Sequence, residues 1–155
     1  MSGRIEARLA ELGLVLPEAT APIANYVPYV MAGALAFMSG QLPLVGGTVA
    51  VIGLVGADVT VEQGQEGARL CMLNLLTHLR AACGGDLDRV RRVVRLGAFI
   101  AAVPGFTQHA LVMNGASDLA VAVFGGAGRH ARSTVGVATL PGGAAVEVEG
   151  VFEVG

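Results

Sequence analysis

Residues 128–154 read GRHARSTVGVATLPGGAAVEVEGVFEV, and the reading of this stretch decides the fold. Both of its halves alternate as strands do. Ser133–Thr139 and Ala145–Val154 are expected to form the arms of a hairpin around the turn signal Leu140-Pro141-Gly142-Gly143. In the second arm Val146, Val148, Phe152 and Val154 share one face, while Glu147, Glu149 and Glu153 share the other. With Thr139 opposite Ala144, Val135 pairs with Val148 and Val137 with Val146. Arg132, Thr134, Gly136 and Ala138 then point to the same side as Glu147 and Glu149. That face carries an arginine, a threonine and two glutamates with little bulk between them. Water, a ligand or a neighbouring subunit must fill such a hollow; a solvated face with incidental charges is the alternative reading of the same pattern.

Upstream, Phe106–Phe124 is expected to be helical, with Phe106, Ala110, Met113, Ser117, Val121 and Phe124 on one face. Gly115 inside it costs about 1 kcal/mol relative to alanine. A strand, Val93–Val103, precedes it and ends at Pro104, and Asp86 and Asp88 read as a turn. Before that turn, Thr60 with Gln63 three residues on is a capping box, and Glu62 suits the helix dipole. Ala68, Cys71, Met72, Leu75, Leu79 and Ala82 form the apolar stripe of that helix, which Gly84 and Gly85 stop. Thr48–Ile52 and Tyr29–Met38 read as strands, separated by Pro43 and the Gly46-Gly47 turn signal. Leu14–Asn25 is a proline-containing connector, and Arg4–Leu12 is a short amphipathic helix with Ile5, Leu9 and Leu12 on one face, ended by Gly13. The order α-β-β-α-β-α-β-β implies one α+β domain over residues 1–155, with residues 1–25 as an N-terminal helix and connector.

Composition narrows the function. The 155 residues can bury about 68–70% of the unfolded surface, enough for a core without staples. All ten basic residues are arginine. Without lysine there is no Schiff-base chemistry and no P-loop. A net charge of −2 argues against a nucleic-acid binder, and the only dense basic stretch, Arg89, Arg91, Arg92 and Arg95, reads as an exposed rim of a helix–strand junction. Cys71 and Cys83 each sit in an apolar helical pattern and are expected as buried free thiols, which fits a cytoplasmic location. The charged, amphipathic start is not a signal peptide, and no clean apolar run of about 20 residues marks a membrane span near it. A hydrophobic fraction of 54% with only 14% charge suggests instead that surface is buried in an oligomer.

The quoted stretch resembles the C-terminal signature of the RidA/YjgF family of reactive-intermediate imine deaminases: an Arg-Ser-x-Val-x-Val-x-x-Leu-Pro strand and turn, then an x-Glu-x-Glu strand. Ser39-Gly40-Gln41-Leu42-Pro43 resembles the family's Ser-Gly-Gln-x-Pro turn. The segments at Ala57–Gly64 and Asn114–Ser117 resemble an endoribonuclease L-PSP-like subgroup with an N-terminal extension, and the match runs over about residues 14–154. The resemblance implies a chorismate-mutase-like fold (bacillus type): a mixed β-sheet with two long helices on one face, assembled as a homotrimeric barrel with ligand clefts between subunits. It further implies that Arg132 holds a substrate carboxylate, that Glu147 positions or deprotonates water, and that Tyr26, Ser39, Gly40 and Asn114 line the cleft. Thr134 stands where the family often has cysteine.

The expected activity is hydrolysis of 2-imino or enamine acids to 2-keto acids and ammonia. A non-catalytic or regulatory trimer binding 2-keto-acid-like molecules in the same cleft is the alternative. No cofactor and no metal site are expected: His109 and His130 lack partners at ligand spacing, and His78 reads as a structural histidine. His130 flanks the signature and is expected to support the cleft rather than to touch its ligand. No nucleic-acid or membrane partner is expected, and chorismate mutase activity would want more cationic groups than the signature supplies.

Overall fold

The computed structural model describes residues 3–21 and 24–155. Residues 22–23 of the expected connector, and the first two residues, lie outside the described residues. In chain order the elements are α1 (Arg4–Glu11), β1 (Tyr29–Ala32), β2 (Leu35–Gln41), β3 (Leu44–Val45), β4 (Thr48–Val49), α2 (Val61–Ala82), β5 (Val90–Ala101), α3 (His109–Phe124), β6 (Ala131–Val137) and β7 (Val146–Val154). A five-stranded sheet has the order β1-β2-β7-β5-β6, and β3 and β4 form a separate small hairpin. All pairs in the large sheet are antiparallel except β5 with β6, which run parallel. The α+β reading with a mixed sheet and two long helices on one face therefore holds.

The terminal hairpin does not form. β6 and β7 both pair with β5, which lies between them. Leu96, Ala98 and Ile100 of β5 are buried, so this strand takes a central place, and central strands need two neighbours. The crossover through α3 delivers β6 parallel to β5, as a helical connection does. The Leu140–Gly143 turn signal is real, but its residues form a 3-10 turn that carries the chain past the end of β5. There Ala145 N–H donates to Val51 O at 3.0 Å, and Ala101 N–H donates to Ala145 O at 2.9 Å.

This topology reverses the expected facing. Paired residues share a side of a sheet. Arg132, Thr134 and Gly136 pair with Leu96, Ala98 and Ile100 and face the helices. Glu147 and Glu149 pair with Phe99 and Gly97 and face the opposite side.

Two other strand readings change. The Tyr29–Met38 run folds back at Gly33-Ala34, pairing Ala32 with Leu35; Gly33, at φ +60°, takes the left-handed position such a tight turn needs. Of Thr48–Ile52 only the first two residues are strand, and Ile52 makes an isolated bridge to Ala144. The α2 reading holds: Thr60 Oγ1 accepts from Gln63 N–H at 3.1 Å, Gln63 Oε1 accepts from Thr60 N–H at 2.9 Å, and Ala68, Cys71, Met72, Leu75 and Leu79 are buried. Cys71 and Cys83 are buried free thiols.

Helix α3 is rotated from the expected face. Val112, Met113, Ala116, Leu119, Ala120, Val123 and Phe124 are buried, whereas Ala110 and Val121 are exposed and Phe106 precedes the helix. Gly115 sets this contact. A Cβ there would strike the backbone carbonyl of Gln65 on α2, so the two helices approach through a position that only glycine allows. His109–Gly128 is long and apolar enough by composition to cross a membrane, with a mean hydropathy of 1.4. Here it is the helix that packs on α2, β5 and β6, with Asn114 and Ser117 turned to Arg132.

Helix α1 is tied to the fold at both ends. Asp88 accepts from Arg4 N–H at 2.8 Å and Ile5 N–H at 2.7 Å, capping the helix from elsewhere in the chain. Arg8 Nε donates to Ala122 O of α3 at 2.8 Å. Asp88 therefore does more than shape its own turn.

Candidate functional site

The sequence-derived site residues fall into two groups. The first lies on the helix side of the edge strand β6. Arg132 Nη1 donates to Asn114 Oδ1 at 2.9 Å and to Ser117 Oγ at 3.1 Å. Asn114 and Ser117 are three residues apart on α3 and so share a helix face. Both hydrogens of Nη1 are thereby used. The Nε–H and Nη2 edge has no partner among the described residues, and Arg132 is exposed. That edge is a planar pair of donors matching the two oxygens of a carboxylate. Thr134, two residues along the same face, buries its hydroxyl oxygen without a partner among the described residues. Next along the strand, Gly136 makes room for the His109 ring.

The second group lies where β2 meets β7. The pairing shifts register between Met38 and Gln41, and Ser39 and Gly40 occupy that irregularity. Ser39 Oγ donates to Val27 O at 2.6 Å, and Ser39 N–H donates to Pro28 O at 2.9 Å. These bonds bind the connector carrying Tyr26 to the strand. A Cβ on Gly40 would collide with the Glu147 carboxylate, so the glycine leaves space for that group. Burial first, and then the neighbouring Glu149, push the Glu147 carboxyl above the usual carboxylate range. A cavity of about 250 Å³ opens beside these residues, lined by Thr20, Tyr26, Pro28, Gly40, Gln41 and His78 among others. His78 is 5% exposed, and burial lowers its basicity. Tyr26 is 54% exposed, with most of its ring free to meet something outside this chain.

Within one chain the structure joins Arg132 with Asn114 and puts Thr134 on the same strand face, and it sets Gly40 against Glu147, with Tyr26 and Gly40 lining one cavity. It does not join the two groups, which face opposite sides of the sheet. The expectation that Arg132 and Glu147 share a face is overturned, because β5 rather than β6 is the neighbour of β7.

Two further residues adjoin the first group: Ser117, which was not singled out for the site, and His130, expected only to flank the signature in a supporting role. Ser117 Oγ and His130 Nε2 are 2.9 Å apart, and His130 Nδ1 lies 2.6 Å from Gly128 O. The spacing carried the signal. Ser117 follows Asn114 by three on a helix, and His130 precedes Arg132 by two, just before β6 begins.

Comparison with known proteins agrees with this architecture. Residues 6–148 match the family model described as "YjgF/chorismate_mutase-like, putative endoribonuclease". Protein TCP17 of Trypanosoma cruzi is 52% identical over 155 residues, covering 98% of this chain and 95% of that protein. The crystal structure of Atu1372 from Agrobacterium tumefaciens, a protein of unknown function, superposes with a TM-score of 0.91 at 50% identity, covering 97% of this chain and 92% of that one. The structure of E. coli TdcF with bound serine superposes with a TM-score of 0.62 at 25% identity, covering 89% of this chain and 94% of that one. The chain belongs to the YjgF/chorismate-mutase-like family.

Proposed function

We propose that the protein hydrolyses 2-imino acids to 2-keto acids and ammonia in a cleft between copies of the chain. The Nε–Nη2 edge of Arg132, which has no partner among the described residues, carries this reading. It is a rigid fork aimed outward from a guanidinium whose other nitrogen is already fixed. A carboxylate docked there gains two charge-assisted hydrogen bonds. The serine bound to TdcF has a carboxylate beside a nitrogen-bearing carbon, the same pairing of groups as a 2-imino acid.

The step then asks little more of the protein. Water adds to the electrophilic C=N carbon, and a carboxylate takes its proton. The carboxylate passes that proton to the imine nitrogen, and the tetrahedral carbinolamine then gives its hydroxyl proton to the same nitrogen and expels ammonia as the carbonyl forms. Glu147 suits the proton transfer, since a carboxyl raised above its usual range is a better base than an exposed one. The chemistry draws on no cofactor, because the imine is already activated and needs chiefly orientation.

Arg132 and Glu147 face opposite ways, so a single chain cannot present both to one substrate. One copy supplies Arg132, Asn114 and Thr134, and its neighbour supplies Glu147, Tyr26, Ser39 and Gly40. The sheet face away from the helices supports such an assembly. Val30 pairs with Phe37 and Phe37 with Val151, while Phe99 pairs with Val135. Phe37 remains 46% exposed and Val135 49% in the isolated chain. A homotrimer closes this face on itself. The test is clearance of an imino acid generated in place by an amino-acid oxidase. Faster appearance of the keto acid with the protein supports the reading, and spontaneous rates at any protein concentration refute it.

A further inference from the structure

The free edge of Arg132 depends on how its other end is held, and that hold does not stop at α3. His130 Nδ1 lies 2.6 Å from the carbonyl of Gly128. A carbonyl only accepts, so Nδ1 carries the hydrogen. In the neutral ring Nε2 is then an acceptor, and its partner at 2.9 Å is the Ser117 hydroxyl. Ser117 therefore donates its single hydrogen to His130, which turns its lone pairs toward Arg132 Nη1 at 3.1 Å. A chain of donors runs one way: Arg132 to Ser117 to His130 to the Gly128 backbone.

The far end of this chain is rigid. Gly128 is buried and closes the 3-10 turn between α3 and β6, and a Cβ there would collide with the backbone of Ala120 and Val121. The relay thus links the guanidinium to the backbone of a buried glycine packed against α3. A serine beside a histidine also has the outline of a nucleophile and its base. Arg132 argues against that role here, because its cationic N–H occupies a lone pair of the serine oxygen and withdraws charge from it.

We infer that Ser117 and His130 are positioning residues for Arg132: with His130 held as the Nδ1–H tautomer by Gly128, Ser117 is locked as an acceptor and the Nε–Nη2 edge is preorganised for a carboxylate. The inference rests on the reading that Arg132 receives a carboxylate. Its value lies in affinity rather than in the chemical step, since preorganisation lowers the cost of ordering the side chain on binding.

The test combines nitrogen NMR with pyruvate titration on the wild type, Ser117→Ala, Ser117→Thr and His130→Asn. The expected wild-type spectrum shows His130 as the Nδ1–H tautomer and slowed rotation of the Arg132 guanidinium. Slow rotation should persist in Ser117→Thr, which keeps the hydroxyl, and be lost in Ser117→Ala and His130→Asn. Pyruvate affinity should fall about three- to tenfold in those last two and stay near wild type in Ser117→Thr. An Nε2–H tautomer at His130, or unchanged Arg132 rotation in Ser117→Ala, overturns the relay. So does phosphonylation of Ser117 by a fluorophosphonate, with loss of fluoride, which would make it a nucleophile. Wild-type protein that shows the expected spectra but binds no pyruvate refutes the carboxylate reading of Arg132 and leaves the relay standing.

Discussion

Arg132 and Glu147 lie on opposite faces of one sheet, with β5 between their strands. Each is supported locally. Arg132 is held by two side chains of α3, and Glu147 is given room by Gly40. Neither supporting set reaches the other. A site that needs both a carboxylate-binding fork and a basic carboxylate is incomplete in the single chain, so oligomerisation and activity are one question.

Arg132→Ala should weaken binding of a 2-keto acid at least tenfold, because charge-assisted hydrogen bonds contribute about 1.5–3 kcal/mol each. Arg132→Lys should recover little of this, since an ammonium cannot reproduce the planar edge. Calorimetric titration with pyruvate, with thermal melts to show that the variants fold, measures both.

Glu147→Gln should abolish most turnover while leaving the fold as stable at neutral pH, or more so. The folded-state carboxyl is raised above its unfolded value, so the unfolded chain loses its proton first as pH rises. Ionised Glu147 therefore costs stability above that window, and acidification removes the cost. Glutamine removes the charge outright. Melting temperatures of both proteins across pH 4 to 8 should diverge as pH rises, with the variant higher.

Asp88 holds the start of α1, and its carboxyl is kept below the usual aspartate range by the amides of Ile5 and Arg4. A lowered folded-state value means that this contribution is present above the ordinary aspartate range and is lost as pH falls through the folded value. Asp88→Ala should raise amide exchange throughout α1 at neutral pH with little change in β5. Hydrogen exchange read by mass spectrometry distinguishes this from global loosening.

Gly115→Ala gives a sign test of the α2–α3 contact. On helix propensity alone the change stabilises by about 1 kcal/mol. The collision of the added Cβ with Gln65 O predicts the reverse, a loss of about 1–3 kcal/mol. Denaturant titration decides between them.

Much of this arrangement could be read from residue order, and the failures share one cause. Helix α2 was legible because Thr60, Gln63 and the stripe from Ala68 to Leu79 are local signals. So was the association of Asn114 with the arginine segment, through resemblance. Sheet order was not, because the Leu140–Gly143 turn looks the same whether its arms pair with each other or flank a third strand. Reading a hairpin there put Arg132 and Glu147 on one face. The α3 face was misread because a helix that is apolar nearly all round has a weak phase, and the phase was set by Gly115 against a distant backbone. The role of Ser117 depended on that phase and was hidden with it.

The most direct test of the split site mixes two inactive variants. Arg132→Ala chains retain Glu147, and Glu147→Gln chains retain Arg132. The two are unfolded together in equal amounts, refolded, and assayed for imino acid hydrolysis beside each variant treated alone. If clefts form between copies, random mixing should restore about a quarter of wild-type clefts, those pairing the intact arginine of one chain with the intact glutamate of its neighbour. Activity no higher than that of the separate variants, in a mixture shown to contain mixed oligomers, would contradict the account.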